Sequence, residues 1–256
     1  MNNVYVLLPA YNEEENIQPL IEQWADCKEQ LNKELELNLI MLPIDDKSTD
    51  NTKEILMKME NNYIKPIYHK ANLGLGGGLN TGFSYFIKNA SQGDLIFVMD
   101  ADNTHNPKYC LDMIRKLYSD KLDCVIASRY CENSEIVGVP SHRNFLSSGA
   151  RAYYTLVLGI PHVKDYTCGY RVYTYEIIKK AYEKYGENFI QEKGFSCMME
   201  IIYKIHLLGG KVGETGFVLR YDNKLGESKM KVMKTIKNSL KTALKLRLNS
   251  KKLESN

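Results

Sequence analysis

The 256 residues are 44% hydrophobic and 25% charged, with a net charge of +3. That balance fits a soluble globular chain and excludes disordered, collagen-like and disulfide-scaffold classes. From Lys229 onward nine Lys/Arg face one acid, Glu254, which leaves the first 228 residues with 25 basic and 30 acidic groups; a mildly acidic body argues against a nucleic-acid partner.

In chain order, VYVLLP (4–9) opens as a buried strand. It reads as a strand and not as a signal peptide, because it has no basic lead and turns polar at once. PAYNEEENI follows, without the GxGxxG of a dinucleotide fold, and a helical pattern covers 14–32. The strand LNLIMLPID (37–45) runs into DDKSTDNT, where Asp45 and Asp46 suit a base or ribose. Ser48 or Thr49 suits the cap of a helix over 50–62, and Asp50 reads as a helix cap. IKPIYH (64–69) is a third strand, and NLGLGGGLNTGF, with Gly76 inside it, lets a backbone approach a ligand before a helix over 78–90. DLIFVMD (94–100) ends in Asp100-Ala101-Asp102; two carboxylates at a strand end repel unless a cation lies between them, and such oxygens suit Mg²⁺ or Mn²⁺ on a phosphate ligand. Pro107 opens a helix over 107–119, and CVIAS (124–128) is a fifth strand.

Beyond residue 130 the pattern is less regular. A helix is expected over 142–158, then a polar aromatic stretch (163–176), helices over 175–185 and 196–208, a strand over 212–220 and a basic helix to the end. Glu200, alone among apolar neighbours, reads as a buried polar contact to the active site, and the histidines 69, 142, 162 and 206 read as structural. Strand–helix alternation with apolar strands gives an α/β class, a mainly parallel central sheet covered by helices on both faces, with ligands beyond the C-terminal strand ends. The expected organisation is one domain over 1–228, in a regular half (1–130) and a less regular half (131–228), followed by a basic amphipathic tail over 229–256. Met230, Met233, Ile236, Leu240, Ala243/Leu244 and Leu248 make its apolar stripe, suited to an anionic leaflet. With six scattered cysteines, no CxxC pair and no apolar run of about 18 residues, the expected location is cytoplasmic, peripheral on the cytoplasmic face of a membrane.

The ordered strings LPAYNEEENI, DDKSTDNT, NLGLGGGLNTGF, VMDADNTHNP, ASRY, DYTCGYRVYT, GFSCMMEIIYKI and GESKM resemble family-2 inverting glycosyltransferases of the GT-A fold. More narrowly they resemble the polyprenyl-phosphate (dolichol-phosphate) mannosyltransferases. The resemblance implies that Pro9, Tyr11, Glu13, Asp45 and Asp46 hold the nucleoside and that Asp100 and Asp102 hold Mg²⁺ or Mn²⁺ on the diphosphate of a GDP- or UDP-sugar. It implies Arg129, Arg143 and Lys229 on donor or acceptor phosphates, with Ser147 beside the acceptor phosphate. Thr104 stands where some relatives carry a Gln metal ligand and is a weaker oxygen; Asn223 stands where relatives often carry Arg, with Arg220 and Lys224 nearby. Asp165 is the candidate base if the acceptor is a sugar hydroxyl, and a site-orienting group if it is a polyprenyl phosphate. Either the tail or a membrane-anchored partner would bring the chain to its lipid. A transferase acting on a polysaccharide or protein, a nucleotide-sugar-binding scaffold without turnover, and a nucleotidyltransferase remain open.

Overall fold

The computed structural model describes residues 1–138, 141–223 and 232–255, with the side chains of 141–148, 232–234 and 255 outside the description. Strands β1 (Asn2–Ala10), β2 (Leu37–Asp45), β3 (Ile67–Tyr68), β4 (Leu95–Val98) and β5 (Cys124–Ser128) appear near their expected positions. Between them lie α1 (Ile17–Leu35), α2 (Thr52–Met59), α3 (Gly74–Asn89) and α4 (Cys110–Ser119). After these come β6 (Glu135–Val137), α5 (Ser141–Leu158), β7 (Arg171–Thr174), α6 (Tyr175–Tyr185), α7 (Cys197–Leu207), β8 (Val212–Gly216), β9 (Val218–Arg220), α8 (Val232–Leu248) and α9 (Ser250–Ser255).

Seven strands form one sheet in the order β3-β2-β1-β4-β7-β5-β8, while β6 and β9 pair separately. All neighbours in the large sheet run parallel except β7, which lies antiparallel between β4 and β5. The sheet takes β7 and β8 from beyond residue 130, so both halves of the chain share it. The order reverses at β1, which has β2 on one side and β4 on the other. A crevice at the C-terminal strand ends is the geometric consequence. Fully buried Trp24 on α1 packs on Phe97 of β4 and on Tyr170, with ring centroids 5.4 and 6.4 Å apart. On α3, Gly82 leaves the space that the Leu7 side chain of β1 fills.

Two readings change with the structure. The glycines of 74–78 form the first turns of α3 instead of a loop, and Gly76 is buried against the segment 190–194. A Cβ at Gly76 would collide with the Glu192 carbonyl, and one at Gly74 would stand 2.6 Å from the Lys193 carbonyl. Gly76 N–H donates to Lys193 O at 3.1 Å, so this glycine seats a strap of the chain's own backbone, not the nucleotide contact expected of it. The tail is the second change. Helix α8 docks through Ser239, Thr242, Ala243 and Leu246, with Tyr154 Oη 2.6 Å from Ser239 Oγ and Tyr153 Oη donating to Leu240 O. Leu244 and Leu248 of the expected stripe point outward. Small and hydroxyl side chains allow close approach to the α5 tyrosines, which a simple apolar count undervalues; Met230 lies outside the described residues and the Met233 side chain is likewise undescribed. No helix among the described residues is long and apolar enough to cross a membrane.

The strap is anchored from below by a buried pair on α7. Glu200 Oε2 accepts from the amides of Gln191 and Glu192 at 2.9 Å each, and Lys204 Nζ donates to Glu200 Oε1 at 2.7 Å and to the carbonyls of Asn188 and Phe189. Both side chains are nearly inaccessible. Lys204→Met leaves the Glu200 charge uncompensated and lowers unfolding free energy by about 3–5 kcal/mol, whereas Glu200→Gln with Lys204→Met recovers part of that loss. Urea unfolding of Glu200→Gln, Lys204→Met and the double variant checks this; a double cost equal to the sum of the two single costs would show no coupling.

Candidate active site

Strand register brings the expected residues to one edge. Ala10 pairs with Asp45, Leu7 with Val98, and Val98 with Arg171, so the loops after β1, β2 and β4 and the loop entering β7 meet at the C-terminal edge. Tyr11 is exposed there, and Pro9 is partly covered by Gly78 of α3. The loops after β1 and β2 brace one another. Asn12, in the left-handed region at φ 57°, donates from its amide to Ser48 Oγ and accepts at Oδ1 from Thr49 N at 2.7 Å. Glu13 N–H donates to Thr52 Oγ1, and Glu14 Oε2 accepts from Asn51 N and Nδ2. The N-cap of α2 is Asn51, not Asp50 as expected; Asp50 Oδ1 accepts from Thr52 N and Oγ1 from just outside the helix, and Ser48 and Thr49 serve the cross-brace instead of the helix.

Of the two acids after β2, Asp45 is buried and accepts from Ser48 N at 3.2 Å. Asp46 is spent within the chain. Its Oδ1 meets His69 Nδ1 at 2.7 Å and accepts from Leu73 N, and its Oδ2 accepts from Gly74 N at 2.8 Å. It latches the start of α3, a structural use that the expectation of a nucleoside contact did not include. A carboxylate at a helix N-terminus is favoured by the amides and the dipole there, which explains the latch.

Asp100 and Asp102 are half-buried just past β4. Thr104 donates from Oγ1 to Asp102 Oδ1 at 2.7 Å, and His105 Nδ1 lies 3.2 Å from the same hydroxyl. His105 Nε2 is 3.6 Å from Cys168 Sγ, and its ring stacks on Phe217 at 5.3 Å. One proton arrangement satisfies the whole row: Cys168 S–H to Nε2, Nδ1–H to Thr104, Thr104 O–H to Asp102. It needs a neutral imidazole and a protonated thiol, and burial supplies both by pushing His105 down to about 4 and Cys168 up to about 12. Thr104 therefore orients Asp102 and is not placed as a separate metal oxygen. Gln23 holds the same loop by donating to Asn103 Oδ1 at 2.8 Å.

The loop entering β7 closes on Asp100. A Cβ at Gly169 would stand 2.7 Å from Asp100 Oδ1, so any larger residue would displace that carboxylate. Sequence reading passed over Gly169, whose one signal was its place in the DYTCGYR string. The loop is built around Asp165, which is wholly buried. Its carboxylate accepts from Arg129 Nε at 2.8 Å, Arg129 Nη2 at 2.6 Å and the amides of Arg129, Thr167 and Cys168. Arg129 also donates to Thr167 Oγ1, and Glu214 of β8 accepts from the amides of Lys164 and Asp165. Arg171, 0% exposed, donates to the carbonyls of Tyr166, Cys168 and Met198. Burial opposes ionisation of Asp165, but the Arg129 guanidinium and these hydrogen bonds outweigh it and hold the carboxyl below its usual range. A carboxylate so clamped does not collect a proton near neutral pH, which corrects its candidacy as a base. Most of Arg129 is committed to the same pair.

Arg143 and Ser147 stand on the first turns of α5, where side chains lie outside the described residues, as do Lys224 and Lys229 entirely. Arg220 pairs bidentately with Asp222 at 2.7–2.8 Å on the surface. Among the described residues no three His, Cys, Asp or Glu side chains gather into a metal cage. Two hard carboxylate oxygens at a crevice suit Mg²⁺ or Mn²⁺ that completes its shell with water and phosphate.

Asp165→Asn leaves the Arg129 charge unmatched and costs about 3–5 kcal/mol near neutral pH. Because the folded carboxyl titrates below its usual 3.8, the wild-type advantage is complete above that value and is lost as pH falls through the folded one. Denaturant titrations of both proteins check it: a gap that is constant from about pH 8 to 5 and closes in stronger acid is expected.

Residues 5–182 match the family model for glycosyl transferase family 2. The chain is 31% identical over 230 residues to dolichol-phosphate mannosyltransferase of Pyrococcus furiosus, which covers 89% of this chain and 59% of that protein, so it spans about three-fifths of that relative's length. It is 26% identical to polyprenol monophosphomannose synthase of Mycolicibacterium smegmatis, across 88% of this chain and 80% of the relative. Glucosyl-3-phosphoglycerate synthase of Mycobacterium tuberculosis, solved with Mn²⁺, uridine diphosphate and phosphoglyceric acid, superposes with a TM-score of 0.68 at 16% identity, over 96% of this chain and 78% of that one. The expected GT-A fold is the fold observed, and the chain belongs to glycosyl transferase family 2.

Proposed function

We propose that the protein is an inverting glycosyltransferase that moves one hexose, mannose before glucose, from a nucleoside-diphosphate sugar to a polyprenyl phosphate, with Mg²⁺ or Mn²⁺ held by Asp100 and Asp102. The observation that carries this reading is the pair of half-buried carboxylates at the strand-order reversal, one oriented by Thr104 and the other bordered by Gly169. The names of the Pyrococcus and Mycolicibacterium relatives support the lipid acceptor, and the manganese of the Mycobacterium synthase supports a divalent ion.

A divalent ion there supplies positive charge for the departing diphosphate. The chain's own residues do the rest. Thr104 and His105 fix Asp102, Gly169 and the clamped loop fix the wall beside Asp100, and the braced loops after β1 and β2 hold the nucleoside between Tyr11, Glu13 and Asp45. A phosphate nucleophile is already anionic and needs no base, only positioning. With Asp165 locked to Arg129, that acceptor fits the site better than a sugar hydroxyl. Arg143, Ser147 and Lys229 remain the proposed phosphate contacts.

Asp102→Asn should lower transfer by about 10²–10³-fold without a loss of folding, and chelation of the divalent ion should do the same to wild type. Transfer from GDP-mannose, UDP-glucose and UDP-GlcNAc to a short polyprenyl phosphate reads this out; full activity in the variant rules out the metal role. The same reading places the protein on the cytoplasmic face of a membrane through α8. Replacing the outward Leu244 and Leu248 with Glu should release the chain from anionic liposomes at unchanged stability. Undiminished liposome binding removes α8 from that contact.

A further inference from the structure

Residues 212–220, expected as one strand, break at Phe217. Strand β8 stays beside β5 in the large sheet, and β9 leaves it to pair in parallel with β6. Phe217 is the buried corner between them. The corner is held from several sides. A Cβ at Gly216 would collide with Asn133 Oδ1, so the backbone passes close to that side chain. Glu135 N–H donates to Phe217 O at 3.2 Å, and Val218 N–H donates to Tyr109 Oη at 3.1 Å. Further on, Arg220 N–H donates to Thr104 O at 3.1 Å. The corner and β9 are thus fastened to the loop that follows Asp102.

What the corner delivers there is a flat ring. Phe217 lies on the His105 imidazole with centroids 5.3 Å apart and planes 18° from parallel, while Tyr170 crosses the same imidazole in a T at 5.9 Å. Together they fix the plane of the imidazole, and the plane decides where its nitrogens point. Thr104 Oγ1 spends its one proton on Asp102 Oδ1, so its bond to His105 Nδ1 requires the proton on that nitrogen. If the imidazole turns, Thr104 loses the donor that fixes its own direction, and Asp102 loses a hydroxyl held in place. Groups one step removed from a metal in this way typically govern about 10–100-fold of its affinity.

We propose that Phe217 is a positioning residue for Asp102, acting through His105 and Thr104. The inference rests on the reading of Asp102 as a ligand of the divalent ion. It gives the β6–β9 pair the task of holding that ligand in one direction before the ion arrives. A leucine would fill much of the same buried space but offer no flat face to the imidazole, which separates this role from core filling.

Two measurements on the full chain test it. Nitrogen-15 spectra of the histidine side chains, recorded without metal and assigned with His105→Gln, should show wild-type His105 as the Nδ1–H tautomer. Phe217→Leu should lose that single tautomer, and Phe217→Tyr should keep it. Mn²⁺ titration with GDP or UDP present, followed by electron paramagnetic resonance of the free ion, should show binding weakened roughly tenfold or more in Phe217→Leu and close to wild type in Phe217→Tyr. Lost packing alone lowers the melting temperature and leaves both readouts of the folded protein where they were. Tyr109→Phe removes one hydrogen bond from the corner and no bulk, and should shift both readouts the same way by less. Either readout unchanged in folded Phe217→Leu overturns the proposal, as does either unchanged in Tyr109→Phe should Phe217→Leu not fold. An Nε2–H tautomer in wild type overturns it too. Absence of Mn²⁺ binding in wild type would sink the metal reading alone, and the tautomer comparison would still decide whether Phe217 sets the His105–Thr104 bond.

Discussion

One buried carboxylate organises the second half of the chain. Asp165 is shut off from bulk solvent, so its charge is sustained by Arg129, which lies against it, and by the amides of its own loop. The pair ties β5, which delivers Arg129, to the loop that enters β7. Glu214 on β8 fastens the same loop from the next strand, and Arg171 holds its carbonyls from beneath. With the loop fixed, Gly169 lands beside Asp100. The wall of the crevice on the β4 side is thus set by an ion pair that meets no ligand in the proposed reaction.

The other side of the crevice is fixed by different means. The loops after β1 and β2 cross-link through Asn12, Ser48, Thr49, Glu14 and Asn51, and Asp46 latches α3 to β2. Glycine at 74 and 76 lets the strap lie on α3, and Glu200 with Lys204 keeps it there. Such supports hold a site in one geometry before a ligand arrives, which lowers the ordering cost of binding and favours electrostatic stabilisation by fixed groups.

Much of this was legible in the residue order. The apolar runs at 4–9, 37–45 and 94–100 marked parallel strands, and the acids directly after them lie at the C-terminal edge of the sheet. Strand β7 was not legible: RVYT follows a polar aromatic stretch, and its place depends on the buried Arg171, which looks like a surface charge in a linear reading. Asp46 beside Asp45 looked equivalent to it, because nothing local tells which of two adjacent acids will find a histidine 23 residues on and the amides of a helix start. The glycines at 74–78 signalled close approach correctly, but the approaching group is the chain's own strap. On α8 the apolar count named Ala243 correctly but also Leu244 and Leu248, which are exposed, and it left out the buried Ser239, Thr242 and Leu246, of which Ser239 meets Tyr154 of α5.

The central claim is that Asp100 and Asp102 together grip a divalent ion on a nucleoside diphosphate. Anomalous scattering from crystals soaked with Mn²⁺ and GDP or UDP tests it most directly. A manganese peak within coordination distance of both carboxylates and of the diphosphate is the expected result. Bound nucleotide with no manganese there, or manganese placed elsewhere, contradicts it.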